Sequence, residues 1–216
     1  MMKSLVKTIK LFPYSFNFAT NLICMIIFFA GGFIFSFVSG DMPLMGITYL
    51  CLAPFMLTQM YITLAYSKIV KASPRARIIE LVIPDIVSVF AMLFSYFMLF
   101  VILVTKLNAT PEKEANYALL MIITGVSISA VTFYMSAAYK YFIGSIVLFF
   151  VAFIFICGFG GFTSFRPIVD ISFQTGTIIG FVVVVIGYFL GFGLRRILYN
   201  QPLSKLAAGA ALRKKL

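Results

Sequence analysis

Polar and apolar positions fall in long blocks along this chain. Runs of about twenty apolar residues alternate with short stretches holding charges, prolines and glycines. A helix needs about 20 apolar residues to cross roughly 30 Å of hydrocarbon. Six runs meet that length: 18–38, 44–66, 83–105, 117–139, 142–162 and 175–194. The pattern predicts an all-α integral membrane fold, with six transmembrane helices in one domain over 1–216.

Composition strengthens this reading. Of 216 residues, 62% are hydrophobic and 11% charged. A soluble domain of this length cannot hide so much apolar surface from water. The net charge of +11 raises nucleic acid as a partner, but the distribution argues against it. The basic residues sit in clusters between apolar runs, the arrangement that orients membrane proteins. With the N-terminus in the cytoplasm, the inner segments hold Lys3, Lys7, Lys10, Lys68, Lys71, Arg75, Arg77, Lys140, Arg195, Arg196, Lys205, Arg213, Lys214 and Lys215. The outer segments hold Lys106, Lys113 and Arg166, which is 3 against 14. Four acids, Asp41, Glu112, Glu114 and Asp170, fall outside, and Glu80 and Asp85 inside. Both termini are therefore expected in the cytoplasm.

The ends of the chain carry further expectations. Lys3, Lys7 and Lys10 ahead of an apolar run could be read as a signal peptide, but the run is long and no small-x-small site follows it. It is expected as a retained first span. Val6, Ile9 and Phe12 recur every third residue across 1–17, which predicts an interfacial helix ended by Pro13; a plain basic tail is the alternative. In the tail, 195–216, Leu203, Leu206, Ala210 and Leu212 can meet lipid headgroups, with Lys205, Arg213 and Lys214 reaching phosphates. A frayed tail is the alternative there.

The chemistry is defined first by what is missing. There is no histidine, and Cys24, Cys51 and Cys157 lie in apolar runs without a C-x-x-C pair. A zinc site or disulfide framework is not expected. No phosphate-binding G-x-x-x-x-G-K-[ST] loop, H-E-x-x-H or G-x-S-x-G occurs. No carboxylate pair lies inside the apolar runs; Glu80 and Asp85 sit only at the cytoplasmic end of the third. That argues against a proton pump or an intramembrane hydrolase, and the chain is expected to be non-catalytic. Asn108-Ala109-Thr110 matches a glycosylation sequon and is taken as chance.

Polar residues within the runs include Thr58 and Gln59 in the second, Ser88, Ser95 and Tyr96 in the third, and Thr124, Ser127, Ser129 and Thr132 in the fourth. They can line a pathway or bond to nearby carbonyls. With 26 Phe and 11 Met, a pathway would have adaptable apolar walls, suited to a hydrophobic or amphipathic cargo. Gly176 and Gly180, and Gly187 and Gly191, form G-x-x-x-G pairs, and Gly125 with Ser129 a similar small pair. Such spacing lets helix backbones approach, either within one bundle or between two copies.

The most informative connection is 67–85, S-K-I-V-K-A-S-P-R-A-R-I-I-E-L-V-I-P-D. Ser73 can cap a helix that Pro74 begins, and Ile78, Ile79, Leu81 and Val82 give it an apolar surface. A short cytoplasmic helix over 74–82 is predicted, with Pro84 opening the next; an ordinary basic loop is the alternative.

With that segment in place, the layout resembles small permease subunits of ATP-binding-cassette exporters of the type-2 membrane-domain family. The resemblance covers nearly the whole chain and rests on layout. It implies an N-terminal interfacial helix, cytoplasmic termini and a coupling helix between spans two and three. It further implies separate ATPase subunits that bind ATP and Mg, with no cofactor in this chain. Lys71, Ser73, Pro74, Arg75, Arg77 and Glu80 would then contact the ATPase, and Ile78, Ile79 and Leu81 would pack into its groove. Other implied partners are a second permease, identical or similar, and membrane lipids. The small size is similar to permeases of peptide-toxin exporters, including phenol-soluble modulin exporters, in bacterial cell membranes. The family's external re-entrant segment could fall only at 158–174, where Gly158, Gly160, Gly161 and Pro167 permit a broken helix; a glycine-rich helix end is the alternative. The external loops are shorter than in larger members.

Three other functions compete. A substrate-binding subunit for vitamin uptake would need a polar pocket facing outward, and the loops are poor in polar groups. A lipid-modifying enzyme would need Asp, His or Cys clustered near one interface, which is lacking. A non-transport immunity or scaffold protein is compatible with the residues.

Overall fold

The computed structural model describes residues 18–38, 45–54, 76–107, 111–137 and 171–201, with single positions 56, 72, 74 and 147 outside these runs. Every regular element among them is helical. We label them α1 (Phe18–Val38), α2 (Met45–Pro54), α3 (Ile83–Lys106, preceded by a π-helical stretch at Ile78–Val82), α4 (Pro111–Ala137) and α5 (Phe173–Leu198). Among the described residues, four stretches are long and apolar enough to cross a membrane: α1, α3 with its π-helical stretch, the central part of α4, and α5. The chain is an all-α, multi-pass membrane protein.

These four helices lie on the runs expected at 18–38, 83–105, 117–139 and 175–194. Helix α4 begins earlier than its apolar run, at Pro111, because hydrophobicity stops at a charge while the backbone ladder does not. Helix α5 begins where Ser172 caps it. Ser172 Oγ accepts from the Thr175 N–H at 3.3 Å, and the Ser172 carbonyl accepts from the Gly176 N–H at 3.0 Å. The run at 44–66 is described only as far as α2 and position 56. The interfacial helix at 1–17, the run at 142–162 apart from position 147, the glycine-rich stretch up to 170, and the tail beyond 201 lie outside the described residues.

Helix α3 holds the centre. Its inner stripe, Leu81, Asp85, Ser88, Met92, Ser95, Tyr96, Leu99, Ile102 and Leu103, recurs about every 3.5 residues and is buried. Helices α4 and α5 lie side by side and run parallel. Glu114 meets Phe173 at one end, Gly125 meets Gly180 in the middle, and Ser136 meets Gly191 at the other. Helix α3 runs antiparallel to α5: Phe100 stacks on Phe173 at 5.9 Å, and Asp85 reaches Arg195. Helices α1 and α2 form a tight antiparallel corner, with Gly32 against Leu50 and Gly46 against Ser36. The corner joins the rest through Phe29, edge-on to Phe94 at 5.3 Å.

Candidate functional site

The site lies where α3 begins. Proline has no N–H, and its ring collides with the carbonyl four residues back, so a regular helical turn cannot pass through Pro84 unchanged. The chain answers with a wider turn. The Ile83 N–H bonds the Ile78 carbonyl, five residues back, across Ile78–Val82. Arg77 keeps helical dihedrals, φ −59° and ψ −38°. The helix therefore continues from residue 76 into α3 without the break expected between 74–82 and the third span.

One turn further in, Asp85 and Arg195 form an ion pair. Arg195 Nη1 donates to Asp85 Oδ1 at 2.7 Å, and both residues are 4% exposed. Ser88 Oγ lies within reach of the Pro84 carbonyl at 2.7 Å and the Asp85 carbonyl at 3.0 Å, tying the first turn of α3 together. Asp85 Oδ2 is buried and accepts no hydrogen bond. Removing one partner of such a pair strands a buried charge, at a cost of about 3–5 kcal/mol. Arg196 points elsewhere: its guanidinium lies 4.0 Å from the Phe192 ring centroid, a cation–π contact at the exposed flank of α5.

The residues expected to meet an ATPase divide. Lys71, Ser73 and Arg75 lie outside the described residues. Pro74 sits in an exposed turn. Arg77 and Ile78 are exposed, while Ile79 and Glu80 are half-buried. Leu81 is packed inside this chain, at 4% exposure. It lies four positions before Asp85 and shares the inner stripe of α3.

The pathway candidates divide as well. Thr58 and Gln59 lie outside the described residues. Ser95 Oγ donates to the Ala91 carbonyl at 3.0 Å, and the single Ser129 hydroxyl proton is shared between Gly125 O and, across the helix pair, Val183 O, each 2.9 Å away. Tyr96 Oη donates to the Thr177 carbonyl at 2.7 Å. Gly176 and Gly180 lie against Ala118 and Met121, and Gly187 and Gly191 against Ser129 and Thr132. This small-residue face is filled by α4 of the same chain, so the in-bundle alternative accounts for it.

Sequence reasoning missed the Asp85–Arg195 pair. Both residues were placed at the cytoplasmic end of their apolar runs, and that shared depth was the available signal. Comparison with protein-family models, with curated proteins and with solved structures finds no match to this chain. What the fold and site define is a class, a multi-pass helical membrane protein with an ion pair buried between two of its helices. The permease layout drawn from the sequence stays an expectation.

Proposed function

We propose that this chain is the membrane permease subunit of an ATP-driven ATP-binding-cassette exporter, moving a hydrophobic or amphipathic cargo such as a peptide toxin. The carrying observation is the continuity of 76–82 with α3. The 29 residues Ile78–Lys106 extend roughly 43 Å at 1.5 Å per residue, well beyond about 30 Å of hydrocarbon. The excess forms a helical extension with Arg77 and Ile78 exposed at its start. A force applied there by an ATPase subunit would tilt α3 as a lever, switching a cavity between inward or lateral and outward opening. ATP and Mg would be held by that partner.

The six-span layout is part of this proposal. Its support is the parallel pairing of α4 and α5. Helix α4 ends at the same end of the pair as Arg195, and α5 starts at the Glu114 end. Two parallel neighbours call for an odd number of crossings between them, and the apolar run at 142–162 can supply one. A crossing pair at 18–66 then puts both termini on one side, the cytoplasmic side by charge. A second copy of the permease, or a similar chain, would complete the cavity.

The test is co-purification with a co-expressed ATPase subunit, comparing the unaltered chain with Arg75→Glu plus Arg77→Glu. The unaltered chain is expected to retain the ATPase, and the double variant to lose it at equal membrane yield. If neither form binds an ATPase, the permease proposal falls. If both bind it but no cargo moves in reconstituted vesicles, the non-transport partner reading takes its place.

A further inference from the structure

We propose that Asp85 and Arg195 are positioning residues of a joint that makes the 76–82 extension, the start of α3 and the end of α5 move as one body. The inference deepens the permease reading, and rests on it only for the origin of the push; the joint itself stands on geometry.

Three observations meet at one point. The π-helical turn at Ile78–Val82 is a wide turn, less regular than the helix it leads into. A force entering through 76–82 would be absorbed at this turn if nothing held its far side. Asp85 lies immediately beyond the turn and is tied to Arg195 at 2.7 Å, with 110 residues between them in sequence. Ser88 stiffens the first turn of α3, just beyond the π-helical one, through the Pro84 and Asp85 carbonyls. The force is therefore handed on to α5. From there the close packing of Gly180, Gly187 and Gly191 on α4 carries it to both helices of that pair.

The pair also has room to rearrange. A guanidinium can grip a carboxylate with two parallel bonds, yet here Arg195 uses one, and Asp85 Oδ2 is buried and bare. A small rotation of α5 would engage the second oxygen. The joint thus has a second arrangement available without breaking the first.

The experiment uses the full chain in lipid nanodiscs, with Cys24, Cys51 and Cys157 replaced by Ala. Spin labels are placed at Arg77→Cys and Ile197→Cys, both exposed positions. A second labelled pair, Val126→Cys and Ile178→Cys, reports on the α4–α5 pair from two exposed sites. Dipolar distances are measured in the otherwise unaltered chain, in Asp85→Asn, in Arg195→Gln and in the double variant. The 77–197 pair is expected to give one narrow distance in the unaltered joint. A longer population should appear in each single variant, no larger in the double variant, with the 126–178 distance unchanged throughout. A narrow 77–197 distance in the single variants overturns the joint. So does a 126–178 distance that broadens in parallel, or loss of membrane insertion, since either makes the pair a general stability element. ATPase co-purification is followed in parallel unlabelled samples that keep Arg77, in the unaltered chain and in the Asp85 and Arg195 variants. If the unaltered chain binds no ATPase, the permease reading falls while the distances still decide the joint. If ATPase is bound, Asp85→Asn is expected to retain it and lose coupled transport.

Discussion

Helices α1 and α4 are both long enough to span a membrane, yet they are opposites. Helix α1 is the more apolar, with 11% of its most apolar window buried; α4 is the less apolar, with 67% buried. In water the ranking would be reversed. Lipid removes the incentive to bury leucine or phenylalanine, so greasy side chains stay on the outside. Ile23, Ile26, Ile27 and Ile34 on α1 are each more than half exposed. Inside α4, small and polar residues share the buried face with Leu120, Met121 and Ile128. Thr124, Ser127, Ser129, Thr132 and Ser136 of α4 are all buried, and glycines of α5 lie against the same helix. The difference teaches that burial here does not track apolarity alone: backbone approach and hydroxyl bonding bring α4 inside although it is the less apolar helix.

The largest contrast should come from crowding the two regions. A Cβ at Gly180 would meet the Met121 carbonyl and the Tyr96 hydroxyl at once. Gly180→Leu is expected to destabilise by about 3 kcal/mol or more, since close-packed backbone cannot yield. Ile34→Ala, on the 56% exposed lipid face of α1, should change stability by no more than about 0.5 kcal/mol. Thermal unfolding in detergent, followed by the loss of the monodisperse peak, compares them. Equal melting temperatures would break the distinction between core and shell.

A smaller effect sharpens it. Ser129→Ala removes the hydroxyl that bonds Gly125 O and Val183 O. The expected loss is about 0.6 kcal/mol and at most about 1.7, the range of hydrogen bonds between membrane helices. The smallest effect has the opposite sign. Gly193 lies on the same helix as the packed glycines, yet a Cβ there would meet nothing within 4 Å. Gly193→Ala should stabilise by up to about 1 kcal/mol through helix propensity alone. Destabilisation at Gly193 would show that the glycine face of α5 is wider than α4 covers.

The spans were legible because length and apolarity are one-dimensional properties. The small-residue spacing of α5 was legible for the same reason, although spacing cannot say which helix it meets. Gly176 and Gly180 fit a second copy as well as α4 until the partner is seen. Asp85 and Arg195 show the limit more sharply. The sequence gives the depth of each but not their bearing around the bundle axis, and that bearing depends on how α3 crosses α5. The join at 76–82 was hidden differently. Pro84 reads as the start of a helix, and only the five-residue bond from Ile83 to Ile78 shows that the preceding turn had widened to let the helix pass.

The parallel pairing of α4 with α5 has a consequence for the order of assembly during synthesis. The two helices that fit most closely are separated by 138–172, so α4 is complete before α5 exists. At ~5–20 residues per second, the hydroxyl-rich flank of α4 waits several seconds in the bilayer for its neighbour. That wait is tolerable because those hydroxyls are already occupied at home. Thr124 bonds Leu120 O, Ser127 bonds Ile123 O, Ser129 bonds Gly125 O, Thr132 bonds Ile128 O and Ser136 bonds Thr132 O. The nascent helix carries its own substitute for the missing partner, and α5, arriving later, closes over hydroxyls that were never left without an acceptor.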